Sequence, residues 1–101
     1  MELMMDTKYY WTEDNNGEVT VGLTEAGKNE LGNITFVSLP KVGAQLTTSD
    51  TLLNVEADKA VSDIPSPVAG KVTAVNSNAV NDPSVLNGAD KATSWIAKIQ
   101  K

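Results

Sequence analysis

The feature that most constrains this sequence is its series of short strand-like runs, separated by turn residues roughly every eight to twelve positions. No apolar run exceeds three residues, which excludes a transmembrane helix and a signal-peptide core. Such a pattern is typical of a small all-β sandwich or barrel with helical decoration. With 101 residues the chain is long enough for one domain. We predict a frayed segment over residues 1–8 and a single domain over residues 9–101.

The residue pattern also predicts where individual elements lie. A short helix is expected over 25–31, with Thr24 as its N-cap and Gly32 at its end. A helical turn is expected over 84–86, after Asp82-Pro83. A Pro-x-x-Gly pattern at 40–43 recurs at 67–70, which suggests two similar β halves. Runs that alternate apolar with polar residues, or are rich in β-branched and aromatic ones, predict strands at 9–11, 19–23, 34–39, 51–58, 60–64, 72–75 and 95–99.

The composition excludes several classes of function. The chain has no cysteine and no histidine, which excludes thiolate or histidine metal sites, cysteine nucleophiles and serine–histidine–acid chemistry. Eight lysines, no arginine and thirteen acids give a net charge of −5, so neither nucleic acid nor an anionic membrane is an expected partner. The sequence instead suggests a cytoplasmic protein that docks onto basic partner surfaces, without a metal site.

One lysine stands alone in an acidic part of the chain. The stretch VEADKAVSDIPSP, residues 55–67, contains Lys59, the only basic residue between Lys41 and Lys71. Asp58 and Lys59 lie where two predicted strands meet, so we expect them at the tip of a β-hairpin. A lysine at such a tip is accessible to a large enzyme, although most surface lysines are simply solvated.

The hairpin and the rest of the chain resemble known families. VEADKAVSDIPSPVAG, residues 55–70, resembles the lipoyl-attachment hairpin, in which a lysine at a β-turn tip carries lipoic acid through an amide bond. The body of the chain is similar to the H-protein of the glycine cleavage system, from about residue 9 to residue 99. The matching stretches are VTVGLT (19–24), LGNITFVSLPKVG (31–43), KAVSDI (59–64), AVN (74–76) and WIAKI (95–99).

The resemblance implies a mainly β fold: a flattened β-barrel, or barrel-sandwich hybrid, of two similar β halves with short helices. It implies lipoate attached covalently to Lys59 on the hairpin tip. The carrier would be non-catalytic and monomeric. A lipoate ligase or lipoyltransferase would load it, and glycine decarboxylase, aminomethyltransferase and dihydrolipoyl dehydrogenase would use it. Around the tip, Glu56, Asp58, Ala60 and Asp63 are expected to be recognised by partner enzymes. The three acids among them could equally serve solubility and protection of the sheet edge.

Two alternatives stay open, and biotin carriage is set aside. Biotin carriers share the fold, but their lysine is flanked by methionines, whereas Lys59 follows Asp58 and precedes Ala60. Tyr10 stands where H-proteins usually have histidine, and residues 87–94 lack their usual proline-tyrosine-glycine run. These departures are compatible with an H-like lipoyl carrier outside glycine cleavage, serving as a lipoate relay or as a target of redox-linked ADP-ribosylation. The remaining alternative is an unmodified β-domain that acts as a binding module.

Overall fold

Two antiparallel sheets make up most of the fold. The structure is a computed structural model that describes residues 10–58, 61–87 and 94–101. The larger sheet holds, in spatial order, β1 (Tyr10–Asn15), β2 (Glu18–Leu23), β8 (Trp95–Gln100), β7 (Gly70–Val75) and β4 (Gln45–Leu46). The smaller sheet holds β3 (Ile34–Ser38), β5 (Thr51–Ala57) and β6 (Val61–Pro65), with β5 in the centre.

Three short helical segments connect the strands. The helix α1 (Glu25–Leu31) begins at Thr24, whose hydroxyl accepts a hydrogen bond of 3.0 Å from the N–H of Gly27. It ends at Gly32, which has a φ of 83°, as the sequence predicts. The helix α2 (Ser77–Asn81) and a 3-10 helix (Pro83–Asn87) follow β7. The 3-10 helix confirms the helical turn predicted after Asp82-Pro83, whereas α2 and the two-residue strand β4 were not predicted.

The core lies between the two sheets. Side chains tend to alternate between the two faces of a strand, with consecutive buried residues where the register shifts, as at Leu52 and Leu53 of β5. The larger sheet supplies valine, leucine and isoleucine residues from β2, β7 and β8, and the smaller sheet supplies them from β3, β5 and β6. Leu31 and Leu86 add apolar surface from the helical segments. The largest fully buried side chains are Val21, Leu23, Leu31, Ile34, Val37, Leu52, Leu53, Val55, Val72, Leu86, Ile96 and Ile99.

The predicted fold class, mainly β with short helices, is confirmed. Within the described ranges the strands form two separate sheets rather than one closed barrel. Tyr10, at the edge of the larger sheet, donates a hydrogen bond of 3.1 Å from its buried hydroxyl to the carbonyl of Ile64, at the edge of the smaller sheet. A side chain therefore joins the sheets along this edge.

The two Pro-x-x-Gly turns lead into the two strands of one antiparallel pair, β4 and β7. The N–H of Gly43 donates to the carbonyl of Val72 at 2.7 Å, and the N–H of Val72 donates to the carbonyl of Ala44 at 2.9 Å. The paired strands β4 and β7 continue directly from these turns, with Gln45 opposite Lys71. None of the helices in the described ranges has the length and apolar character needed to span a bilayer.

Candidate functional site

The candidate site is the end of the β5–β6 hairpin. The two strands pair antiparallel from Thr51 opposite Pro65 to Glu56 opposite Val61. The predicted attachment residue Lys59 and the predicted recognition residue Ala60 fall between the strands and lie outside the described residues. The structure describes the residues on either side, Asp58 and Val61, and both are exposed. An enzyme can therefore approach this end of the hairpin from solvent.

The hairpin is firmly anchored at its base. Leu53 and Val55 of β5 and Ile64 of β6 are buried in the core. Near the other end, the N–H of Asp58 donates a hydrogen bond of 3.0 Å to the carbonyl of Asn33, in the connection between α1 and β3. These contacts fix the position from which residues 59–60 start. The alternation predicted for β5 holds from Leu53 to Glu56, where Leu53 and Val55 are buried and Glu56 is exposed, but Leu52 is also buried, next to the register shift between Thr51 and Leu53.

The three acids predicted for recognition are all accessible. Glu56, Asp58 and Asp63 are exposed. Glu56 lies opposite Val61, and Asp63 lies opposite Asn54, so Glu56 and Asp63 are diagonal neighbours on the outer face of the smaller sheet. The Asp63 carboxylate also accepts a hydrogen bond from the side-chain amide of Asn54. The structure thus brings Glu56 and Asp63 together on one face and puts Asp58 just beyond the end of β5.

Two apolar residues at the site were missed by sequence reasoning. Phe36 of β3 lies opposite Glu56, which in turn lies opposite Val61 of β6. Phe36 is 46% exposed and Val61 is 73% exposed. Alternation along β6 puts Val61 on the same outward face as Asp63, whereas Phe36 would share the inward face of Ile34 in a regular strand. The exposure of Phe36 therefore could not be predicted from the sequence. Only the strand register shows that they share a row with Glu56.

The described ranges contain no group of three or more His, Cys, Asp or Glu side chains placed to hold a metal ion. The described residues on either side of positions 59–60 are exposed, with carboxylates at Glu56, Asp58 and Asp63, and the sequence has a primary amine at position 59.

Comparisons with known proteins agree with this architecture. The family model for glycine cleavage H-protein matches residues 3–101. The chain is 45% identical over 85 residues to the glycine cleavage system H protein of Streptomyces coelicolor, covering 84% of this chain and 68% of that protein. It is 35% identical over 100 residues to the corresponding protein of Listeria monocytogenes, covering 99% and 80%.

A solved structure shows the same fold. The crystal structure of a glycine cleavage system H protein from Mycobacterium marinum superposes with a TM-score of 0.82 at 30% identity, covering 92% of this chain and 78% of that one. The sequence matches and this structural match confirm the resemblance on which the prediction rested and favour its main interpretation, a role in glycine cleavage. The chain belongs to the glycine cleavage H-protein family.

Proposed function

We propose that Lys59 carries a lipoyl group through an amide bond, and that the chain is the lipoyl carrier of a glycine cleavage system. Family membership supports the carrier role. The observation that carries the choice of residue is the hairpin itself: β5 and β6 are buried at their base, and the residues on either side of the Lys59–Ala60 tip are exposed. In the sequence, Lys59 is the one lysine of eight that falls between β5 and β6.

The surroundings of the tip fit such a group. An amide-linked arm needs free space around the lysine and no buried partner that would hold its amine. The described neighbours on either side, Asp58 and Val61, are both exposed, as such an arm requires. When bound, the lipoyl group would supply the sulfur chemistry of its dithiolane, and the protein supplies position and recognition.

Attachment also changes the charge of the tip. Converting the Lys59 ammonium to a neutral amide takes the formal net charge from −5 to −6, because one positive charge is removed. Between Lys41 and Lys71 the sequence then has no cation, while Glu56, Asp58 and Asp63 keep their negative charges. We propose that these carboxylates, together with Ala60, mark the tip for enzymes whose surfaces are positively charged.

A carrier of this kind needs no catalytic side chain of its own. The chain would move an aminomethyl group from a glycine decarboxylase to an aminomethyltransferase, and a dihydrolipoyl dehydrogenase would reoxidise the arm. Tethering the cargo at a hairpin tip raises its effective concentration at each partner's active site. The anchored base of the hairpin supports this role, because it fixes the point from which the arm extends.

Isotope exchange tests whether the group that the chain carries is the aminomethyl group of glycine. The lipoylated chain is incubated with glycine decarboxylase, glycine and labelled bicarbonate, and the same chain without the lipoyl group serves as the control. We expect label to enter glycine only with the lipoylated chain. A lipoylated chain that supports no exchange with an active decarboxylase would contradict the glycine assignment and favour an H-like carrier outside glycine cleavage.

A further inference from the structure

We propose that Phe36 and Val61, here named the apolar tip patch, form the docking surface for the enzyme that acylates Lys59. The partner surface would be apolar and bordered by lysine or arginine side chains. This inference rests on the proposed function, since it assumes that Lys59 is the modified residue.

The exposure of Phe36 has a specific structural cause, a β-bulge in β3. Ile34 pairs with Ala57 and Phe36 pairs with Glu56, so two steps along β3 correspond to one step along β5. In a regular strand Phe36 would share the inward face of Ile34, because side chains alternate with a period of two. The extra residue, Thr35, shifts this alternation: Ile34 and Val37 are buried, and Phe36 is exposed. Bulges commonly redirect side chains in this way near functional sites.

A side-chain contact holds the bulge in place. The hydroxyl of Thr35 donates a hydrogen bond of 3.1 Å to the backbone carbonyl of Glu56. The hydrogen bond therefore stabilises the bulge at Glu56, the residue that lies opposite Phe36. A large aromatic side chain is turned toward solvent at the end of the sheet nearest the candidate attachment residue.

Val61 completes the patch from the other side. Phe36, Glu56 and Val61 lie in one row across β3, β5 and β6, and residues directly opposite each other project from the same face. Single exposed apolar residues are common on protein surfaces. Here two of them flank Glu56 in one row at the end of the hairpin, and it is this placement, rather than the area of the patch, that points to an interaction.

Charge complementarity defines the chemistry of the partner. Glu56 stands between the two apolar side chains, and Asp58 and Asp63 border them. An anionic partner surface would be repelled by this arrangement, whereas an apolar surface with cationic borders would bury Phe36 and Val61 and pair the carboxylates.

The position of the patch selects the acylating enzyme among the possible partners. A lysine amine ends a flexible stem of only four carbons, so an enzyme that forms the amide bond must bring its active site close to the hairpin end. The surface it covers must then include the Glu56–Val61 pair, which is the last described pair before the tip. Enzymes that act on the far end of a loaded arm can work at a greater distance from this row.

The test compares two patch variants with a matched control. Phe36→Ser and Val61→Ser remove the apolar surface, and Val42→Ser removes a valine of similar exposure, 60%, in the turn before β4. Steady-state lipoylation of each full-length chain is measured with a lipoate–protein ligase, lipoate and ATP, and product is followed by intact mass. Urea unfolding shows which variants remain folded, and Val61→Ser keeps the test valid should Phe36→Ser be unstable.

We expect kcat/KM for the carrier to fall about tenfold in each patch variant, as for a residue near the centre of an interface, and to stay unchanged in Val42→Ser. Once fully lipoylated, the patch variants should support bicarbonate exchange as well as the parent chain. Unchanged kcat/KM in a folded Val61→Ser would overturn the proposal. So would normal lipoylation combined with lost exchange, which would assign the patch to the decarboxylase. Failure of the parent chain to accept any lipoyl group would instead overturn the proposed function.

Discussion

Gly22 and Trp11 show how a single residue is constrained at the surface of the larger sheet. The two residues are paired across β1 and β2. The Trp11 indole lies directly over the backbone of Gly22 and occupies the space that a Cβ at position 22 would need. A glycine in the middle of a strand usually weakens it. Here the close approach of the indole accounts for its presence.

We predict that Gly22→Ala lowers the free energy of unfolding by about 1–3 kcal/mol, because the added methyl group displaces the indole. The loss should be much smaller in a Trp11→Ala background, which opens the space. A double-mutant cycle by urea denaturation measures this coupling. Strictly additive effects of the two substitutions would contradict the assigned contact.

At the scale of elements, the β1–β2 hairpin has a turn fixed by one carboxylate. Asn16 and Gly17 both have positive φ, 57° and 90°, as a tight two-residue hairpin turn requires. The Asp14 carboxylate accepts a hydrogen bond of 2.8 Å from the N–H of Gly17 and pairs with the Lys101 ammonium at 2.6 Å. The Lys101 contact, followed by the Gly17 N–H, holds the pKa of Asp14 below its ordinary value of 3.8.

This lowered pKa predicts a pH dependence of stability. The ionised Asp14 stabilises the folded chain above pH 3.8, and the contribution is lost as the pH falls through the lower pKa of the folded state. Asp14→Asn should therefore have a slightly lower free energy of unfolding than the parent chain at pH 7, and this difference should disappear in acid. Urea midpoints measured from pH 7 into the acid range test this prediction, and Glu56→Gln, which neutralises an exposed carboxylate of β5, is the control. A gap that persists unchanged in acid would contradict the assignment.

The elements show what sequence reasoning can and cannot predict. The helix α1 was predictable because Thr24 and Gly32 are local signals that act within one turn of the helix. The bulge at Thr35 was not, because it depends on how β3 pairs with β5, and pairing between strands distant in sequence leaves no local signal. The strand β4 was missed for the same reason, since its two residues are ordered by β7.

At the scale of the whole molecule, the hairpin joins a rigid core to an exposed end. Leu53 of β5 is fully buried, whereas Val61 of β6 is 73% exposed. We predict that Leu53→Ala lowers the free energy of unfolding by about 2–5 kcal/mol, because it leaves a cavity between the sheets. Val61→Ala should change it by less than about 0.5 kcal/mol.

Urea denaturation of these two variants measures the contrast. A large loss in Val61→Ala would show that Val61 belongs to the folding core, which would remove it as a free docking residue. The comparison of Leu53→Ala with Val61→Ala also bears on function, because a side chain that contributes little to folding stability is free to serve recognition.

The candidate site was predictable only in part. Lys59 was singled out by its resemblance to a lipoyl hairpin, since a lone lysine between acids carries no chemical signal of its own. The accessibility of Glu56 and Asp63 followed from the alternation of β5 and β6. The placement of Phe36 beside Glu56 required the register of three strands.

The central claim, that Lys59 is the attachment residue, is tested most directly by intact mass. The chain is incubated with a lipoate–protein ligase, lipoate and ATP, beside Lys59→Arg and the control Lys71→Arg, which changes an exposed lysine of β7. We predict that the parent and Lys71→Arg each gain one lipoyl group and that Lys59→Arg gains none. A parent chain of unchanged mass, or a lipoyl group still gained by Lys59→Arg, would contradict the claim.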